Sequence, residues 1–249
     1  MSFAALDHNL CLVALETGSL EEVLSSVFQH PAAFVAVDAP QSPNAGLMAG
    51  TEWRDRFGLS PTTRTWARFK VCEYELRRRG ILLYNTPAER AEAPRWMQTG
   101  FLLYERLHAA GFVTYRRAAE RSSRQVLEVH PHGCYTALLG RLPFKKDTLE
   151  GRLQRQLLLY REGLDVPDAM RVFEEITRHH LLSGQLDLDG LYTHDQLDAL
   201  VAAYTAYLAA LLPNRITLVG DPEEGQIVVP VAELKDWYGE AKIQNPKSQ

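Results

Sequence analysis

Cysteine is scarce, and its scarcity excludes whole classes of protein. Only Cys11, Cys72 and Cys134 occur in 249 residues, far apart and with no CxxC pair. An odd, scattered set builds no disulfide framework and points to a reducing, cytoplasmic setting. Each is expected to be a small buried hydrophobe. Long apolar runs are also missing: no stretch approaches the ~18 residues of a membrane span, and no segment has the form of a signal peptide. Charge of one sign is missing too. A net charge of -4 makes no global case for nucleic acid and leaves only local basic patches to serve. Glycine-rich phosphate loops of the P-loop or Rossmann kind are absent. There is no internal repeat and no low-complexity tract.

What is present is a chain 46% hydrophobic, enough for a substantial core, read as a single domain over residues 1–249. Residues 3–15 read as a hairpin turning at Asp7-His8-Asn9. Ser19 with Glu22 forms a capping box for a helix to about Gln29. Phe34-Val35-Ala36-Val37 is a short apolar run suited to a strand buried on both faces, and Asp38 ends it. Residues 41–65, rich in Pro, Gly, Ser and Thr, read as a long irregular excursion. Helical patterns follow at about 66–79 and 95–110, with Gly80 and Gly111 as stops. Val126-Leu127-Glu128-Val129-His130 is a second buried strand, closed by Pro131. Asp147 with Glu150 is expected to cap a helix to about Arg161, and another runs from about Asp168 to Leu182. Ile216–Val219 and Gln226–Val231 form a hairpin, and residues 240–249 form a frayed tail. Strands alternating with helices argue for an α/β sheet covered on both faces.

The acidic residues carry the chemistry. Asp195 and Asp198 open an alanine-rich helix that Thr193 and Gln196 cap. Residues three apart share a helix face, so both carboxylates leave on one side. Two neighbouring acids repel unless a cation neutralises them. Leu197, Leu200, Val201, Tyr204, Leu208 and Leu211 form a bulky stripe on this helix. Asp198, Ala202, Thr205, Ala206 and Ala209 form a small-residue stripe that admits close approach to a sheet. Asp38 sits at a strand's carboxyl end, where open α/β sheets place their chemistry. Glu128 inside an apolar strand is costly unless paired. An α/β fold would bring Asp38, Glu128, Asp195 and Asp198 together. Such a carboxylate cluster suits two Mg²⁺ or Mn²⁺ ions clamping a phosphodiester, with Asp38, Glu128 and Asp198 as ligands.

Each acid also has a structural reading. Asp195 in the first helical turn complements the helix dipole, Asp38 before Ala39-Pro40 starts a turn, and Glu128 forms a salt bridge. In a continuing strand Glu128, His130 and His132 point one way, so His130 could ligate metal or bind phosphate. No further His or Cys has the spacing a zinc site needs. Lys145 and Lys146 precede a helix N-terminus, an anion-friendly place, and Arg77 lies in the basic run Arg77-Arg78-Arg79. For each basic cluster a solvated face is the competing reading.

Several segments together carry a resemblance. They are Val37-Asp38-Ala39-Pro40, Cys72-Glu73-Tyr74-Glu75-Leu76-Arg77-Arg78-Arg79-Gly80-Ile81, Trp96-Met97 through Phe101 to Leu107, Glu128-Val129-His130-Pro131-His132, Asp195–Ala203, and Gly220-Asp221-Pro222-Glu223-Glu224-Gly225. Over residues 33–231 or so the chain resembles an uncharacterised family of predicted RNase-H-like nucleases, the domain of unknown function numbered four-two-nine. The resemblance implies an RNase H-like mixed sheet of five strands with flanking helices, here with an added C-terminal hairpin. The Asp195-x-x-Asp198-Ala199 pattern is similar to the last acidic motif of Holliday-junction resolvases of that superfamily. Such folds begin on a central strand that bears an acid. Two placements stay open: Phe3–Leu6 and Leu10–Leu15 are the second and third strands and the first is missing, or Phe3–Asp7 is the first strand and Asp7 its acid. The expected function is metal-dependent hydrolysis of nucleic acid. The alternative is a non-catalytic nucleic-acid-binding or scaffold protein of the same fold that lacks the first-strand acid.

Overall fold

A computed structural model describes residues 1–60, 65–117, 122–171, 173, 178–185 and 188–239. The chain starts as an antiparallel hairpin of β1 (Ser2–Leu6) and β2 (Leu12–Thr17). Its turn is built by Asp7, whose Oδ1 accepts the N–H groups of Asn9 at 2.8 Å and Cys11 at 2.9 Å. Aspartate is suited to this because its short side chain can cap the backbone two residues on. These bonds hold the Asp7 carboxyl below its ordinary pKa. Asp7 is therefore a turn residue whose carboxylate is tied to its own loop, and the hairpin it closes is not part of the main sheet, where both placements put these strands. Cys11, expected inside, is exposed in this turn, whereas Cys72 and Cys134 are buried.

The Ser19–Glu22 capping box starts α1 (Leu20–Phe28), which leads into β3 (Ala33–Val37). The excursion that follows is not structureless. It folds a helical turn at Leu47–Ala49 and α2 (Thr51–Phe57) around Met48, Trp53, Trp66, Phe69 and Val71. The aromatic residues supply enough apolar area for a small satellite core, so the Pro and Gly content misleads here. Then come α3 (Val71–Arg78), α4 (Arg95–Ala109), β4 (Val113–Thr114) and β5 (Arg124–Glu128).

After Glu128 the chain does not continue as a strand. His130 caps α5 (Pro131–Leu139), with proline at the first helical position, where its missing N–H costs nothing. The period-two reading of Glu128, His130 and His132 therefore fails beyond Glu128. Next is α6 (Leu149–Arg161), capped by Thr148, not Asp147: the Thr148 hydroxyl accepts the Gly151 N–H at 3.1 Å. Of the expected 168–182 helix, Arg178–Leu182 is helical, and much of the remainder lies outside the described residues. The expected frayed tail, 240–249, lies outside them entirely. The long helix that follows, α7 (His194–Leu211), has the full Thr193–Gln196 capping box. The hairpin β6 (Thr217–Asp221) and β7 (Gly225–Val229) closes the fold.

The main sheet is mixed and five-stranded, in the order β3-β5-β7-β6, with β4 beside the first half of β5. β3, β5 and β7 run parallel, and β6 returns antiparallel. One face packs Ala33, Val35, Val37 and Val126 against α1 and α4, and Val219, Ile227 and Val229 against α3. The other packs Phe34, Ala36, Leu127, Val129 and Val228 against α5 and α7. The β1–β2 hairpin is a separate sheet that rests on α7 through Ala4, Leu6, Leu12 and Leu15. Both stripes of α7 are buried, apart from Leu211 at its exposed end and the partly exposed Asp198. No described helix is long and apolar enough to cross a membrane.

Candidate functional site

The sheet register decides which acids meet. Val37 pairs with Glu128 across β3 and β5. Paired residues of neighbouring strands send their side chains to the same face, and the next residue sends its side chain to the other. Glu128 thus leaves on the Val37 side, toward α3 and α4. Asp38, one residue on, leaves toward α7. The four acids of the sequence-based constellation are split between two faces of one sheet.

On the α7 side, Asp38 and Asp198 line one cleft of about 400 Å³ with His130, Pro131, His132, Pro143, Phe144, Lys145, Lys146 and Arg155. The cleft opens at the carboxyl ends of the parallel strands, as expected of an open α/β sheet. Two glycines let its walls close in. A Cβ at Gly100 would sit 2.4 Å from the Ala39 Cβ, so α4 presses on the Asp38-Ala39-Pro40 turn only because Gly100 has none. A Cβ at Gly151 would lie 1.7 Å from the Lys145 carbonyl oxygen, so α6 likewise seats the two-lysine loop.

Asp38 stands open to solvent on one side and is hemmed in by protein on the others. That crowding, then the nearby Asp198 carboxylate, pushes its pKa up to about 7, against the pull of Lys146; access to water tempers the rise. Lys146 Nζ donates to Asp198 Oδ2 at 2.8 Å. Burial works against the Lys146 charge, but Asp198, with Asp38 and Asp195 behind it, outweighs burial and keeps its pKa above the ordinary value. His130 donates from Nε2 to the Leu82 carbonyl at 3.2 Å, the tautomer that this acceptor requires, which makes Nδ1 an acceptor with no partner among the described residues. Burial and the neighbouring His132 push the His130 pKa down to about 4. Burial and Arg155 also lower that of His132. Both imidazoles are therefore neutral at pH 7.

On the opposite face Glu128 is fully buried. Its Oε2 accepts the Gln41 N–H at 3.1 Å, while its Oε1 has no partner among the described residues. Lys70, equally buried, is the charge nearest in kind: a Cβ at Gly225 would lie 3.4 Å from Lys70 Nζ and 3.7 Å from Glu128 Oε2. Burial pushes the Glu128 pKa up to about 7, with Lys70 and the Gln41 N–H opposing and Glu73 and Asp38 assisting. Two further buried acids fasten the start of α3. Glu73 accepts from the backbone N–H of Lys70 at 3.1 Å and from that of Thr86 at 2.8 Å, and Glu224 accepts from Val71 N–H at 2.7 Å.

Of the remaining expected residues, only Lys145 joins the cleft. Asp195 is exposed at the start of α7, 3.3 Å from His194 Nε2. It reaches the cleft only as a distant charge felt by Lys146. Lys145 lines the cleft and is exposed. Arg77 does not line it: its guanidinium donates to the Leu83 carbonyl and lies 4.6 Å from the centre of the Phe69 ring. Sequence reasoning missed Lys70 and Phe144. A lone lysine between Phe69 and Val71 was the available signal for the first, and nothing local marked the second.

The two carboxylates of the cleft suit one hard divalent ion completed by water or phosphate oxygens, the way Mg²⁺ is usually held. Among the described residues no three His, Cys, Asp or Glu side chains converge closely enough to hold a metal ion unaided.

Fold and cleft together define a mixed α/β domain with an acid pair and a basic rim at the carboxyl end of its parallel strands. A family model described as "Protein of unknown function (DUF429)" matches residues 5–224, and the chain belongs to that family. No curated protein and no solved structure matches the chain.

Proposed function

We propose that the protein is a metal-dependent phosphodiesterase acting on nucleic acid, on an RNase H-like scaffold. The observation that carries this reading is the Asp38–Asp198 pair in an open cleft whose rim bears Lys145 and Lys146. Carboxylates that line one cleft and repel one another favour a bound cation, and a basic rim favours a phosphate. Asp38 and Asp198 would hold Mg²⁺ or Mn²⁺. When bound, the ion supplies charge neutralisation and a more acidic water. A second ion, with Glu128 as ligand, belongs to the sequence-based expectation but lacks a presented carboxylate on this face. Lys146, half exposed, is free to exchange Asp198 for a substrate phosphate oxygen. Neutral His130, with its open Nδ1, and neutral His132 are cleft groups able to accept a proton from water.

A second reading has its own observation. Lys146 already neutralises Asp198, which suits a nucleic-acid-binding or scaffold protein that performs no hydrolysis. One assay separates the two: Mn²⁺-dependent cleavage of single-stranded, duplex and junction DNA and RNA, with Asp198→Ala as control. Cleavage by the native chain alone supports the phosphodiesterase. Equal activity in both proteins, or none in either, sinks it.

A further inference from the structure

The cleft presents a residue that hydrolysis itself does not require. Phe144 is 56% exposed, an unusual state for a phenyl ring in a cleft wall. Its backbone is held from both sides. Its N–H donates to Gln154 Oε1 at 2.8 Å, and its carbonyl accepts from Arg155 Nη1 at 2.9 Å. Arg155 is 2% exposed, donates also to the Gly151 carbonyl at 3.0 Å, and lies 5.2 Å from the centre of the Tyr135 ring. A buried arginine and a helix-borne glutamine thus clamp the backbone on both sides of an exposed ring. By contrast Trp96, also exposed, rests edge-on against Tyr84 with centroids 4.9 Å apart. Phe144 stacks on no ring among the described residues.

Its neighbours say what it could meet. Lys145 and Lys146 follow directly and line the same cleft, as do Asp38 and Asp198. A flat apolar face beside two ammonium groups is complementary to a nucleotide, with its flat base and anionic phosphate. In a duplex both faces of each base are already stacked and the paired bases lie inside. Only an unpaired base offers a face to a phenyl ring.

Resting on the phosphodiesterase reading, we infer that Phe144 is the platform for an unpaired base next to the phosphate held at Lys145 and Lys146, so that the cleft selects single-stranded nucleic acid. The base stacks on the ring, the phosphate meets the lysines, and the acid pair faces the phosphodiester.

The test is binding of fluorescein-labelled oligothymidylate, an abasic strand of equal length and a duplex, read by anisotropy with Ca²⁺ in place of Mn²⁺. Stacking on an aromatic side chain contributes about 1–3 kcal/mol per base, so Phe144→Leu is expected to weaken oligothymidylate binding about 10-fold. The abasic strand and the duplex, which offer no free base, should shift by less than about twofold on the same argument. Phe144→Trp should restore binding and add a fluorescence quench on oligothymidylate that the native protein does not show. Equal weakening for all three ligands would mean that the ring only shapes the lysine loop, and unchanged oligothymidylate binding would mean that no base contacts it. Either result overturns the inference and leaves the hydrolysis reading standing if the native chain still cleaves. A native chain that neither binds nor cleaves any strand overturns both.

Discussion

Asp38 and Glu128 end adjacent parallel strands, one residue out of step in register, and they live in different chemical worlds. Asp38 looks into an open cleft toward Asp198 and Lys146, where a cation or phosphate can reach it. Glu128 looks into the core toward Lys70, with one oxygen tied to the Gln41 N–H. Both carboxyls have pKa values raised to about 7 by the same kinds of cause: burial comes first, neighbouring carboxylates add to it, and a lysine opposes it. A perturbed carboxyl is therefore not by itself a ligand: the direction of its side chain and access from solvent decide what it can do.

The sharpest way to break this comparison is activity. Asp198→Ala is expected to lower Mn²⁺-dependent cleavage at least about 100-fold, because one of the two carboxylates proposed to hold the ion is lost. Its melting temperature should barely change, since the partner Lys146 is half exposed and can turn to water. A large loss of stability would show that the pair is structural.

Next in size is the pH dependence of stability. An acid whose folded pKa lies above its unfolded value destabilises the fold once ionised. Glu128 rises from 4.5 to about 7, so its contribution is intact below about 4.5 and is lost as pH climbs through 7. The span is about 3 kcal/mol at 1.36 kcal/mol per unit. His130 works the other way, losing stability as pH falls from 6.5 toward 4, which flattens the native curve. Comparing Glu128→Gln with the native chain isolates the acid. The melting temperature of the variant relative to native should improve by several degrees, about 6–12 °C at most, between pH 5 and pH 8. Replacing the buried carboxyl also shifts the variant's stability by an amount that does not vary with pH, so only the change with pH is diagnostic. A difference that stays constant with pH would refute an ionising buried Glu128.

The smallest effect is expected at Asp195. Its side chain is 65% exposed and its role is to complement the start of α7. Asp195→Asn should cost about 0.3–1 kcal/mol of stability by removing a charge from the helix N-terminus, and leave cleavage within about twofold. A loss as deep as that of Asp198→Ala would place Asp195 in the cleft after all.

These contrasts also mark how far the sequence alone was legible. Local chemistry read well. The capping boxes at Ser19 and Thr193 lie where expected, Asp38 does end a strand, and the small-residue face of α7 does carry Asp198 to the strand ends. What failed depended on pairing between distant segments. The Val37↔Glu128 register turns Glu128 away from Asp38, and no local pattern encodes a register. The helix starting at Pro131 was hidden because alternating Glu128, His130 and His132 mimic a continuing strand. Lys70, which opens α3, and Glu224, which takes the Val71 N–H from 153 residues away, leave only isolated charges in apolar surroundings as a trace.

The central claim is that Asp38 and Asp198 form one site and Glu128 belongs to another. Mn²⁺ titration followed by electron paramagnetic resonance tests it on the native chain, Asp38→Asn, Asp198→Asn and Glu128→Gln. The account predicts that Glu128→Gln binds Mn²⁺ within about threefold of native, while each aspartate variant weakens binding at least about 10-fold by removing a ligand of a hard cation. Loss of Mn²⁺ binding in Glu128→Gln equal to that in the aspartate variants, in protein that remains folded, would contradict it and restore a single three-acid centre.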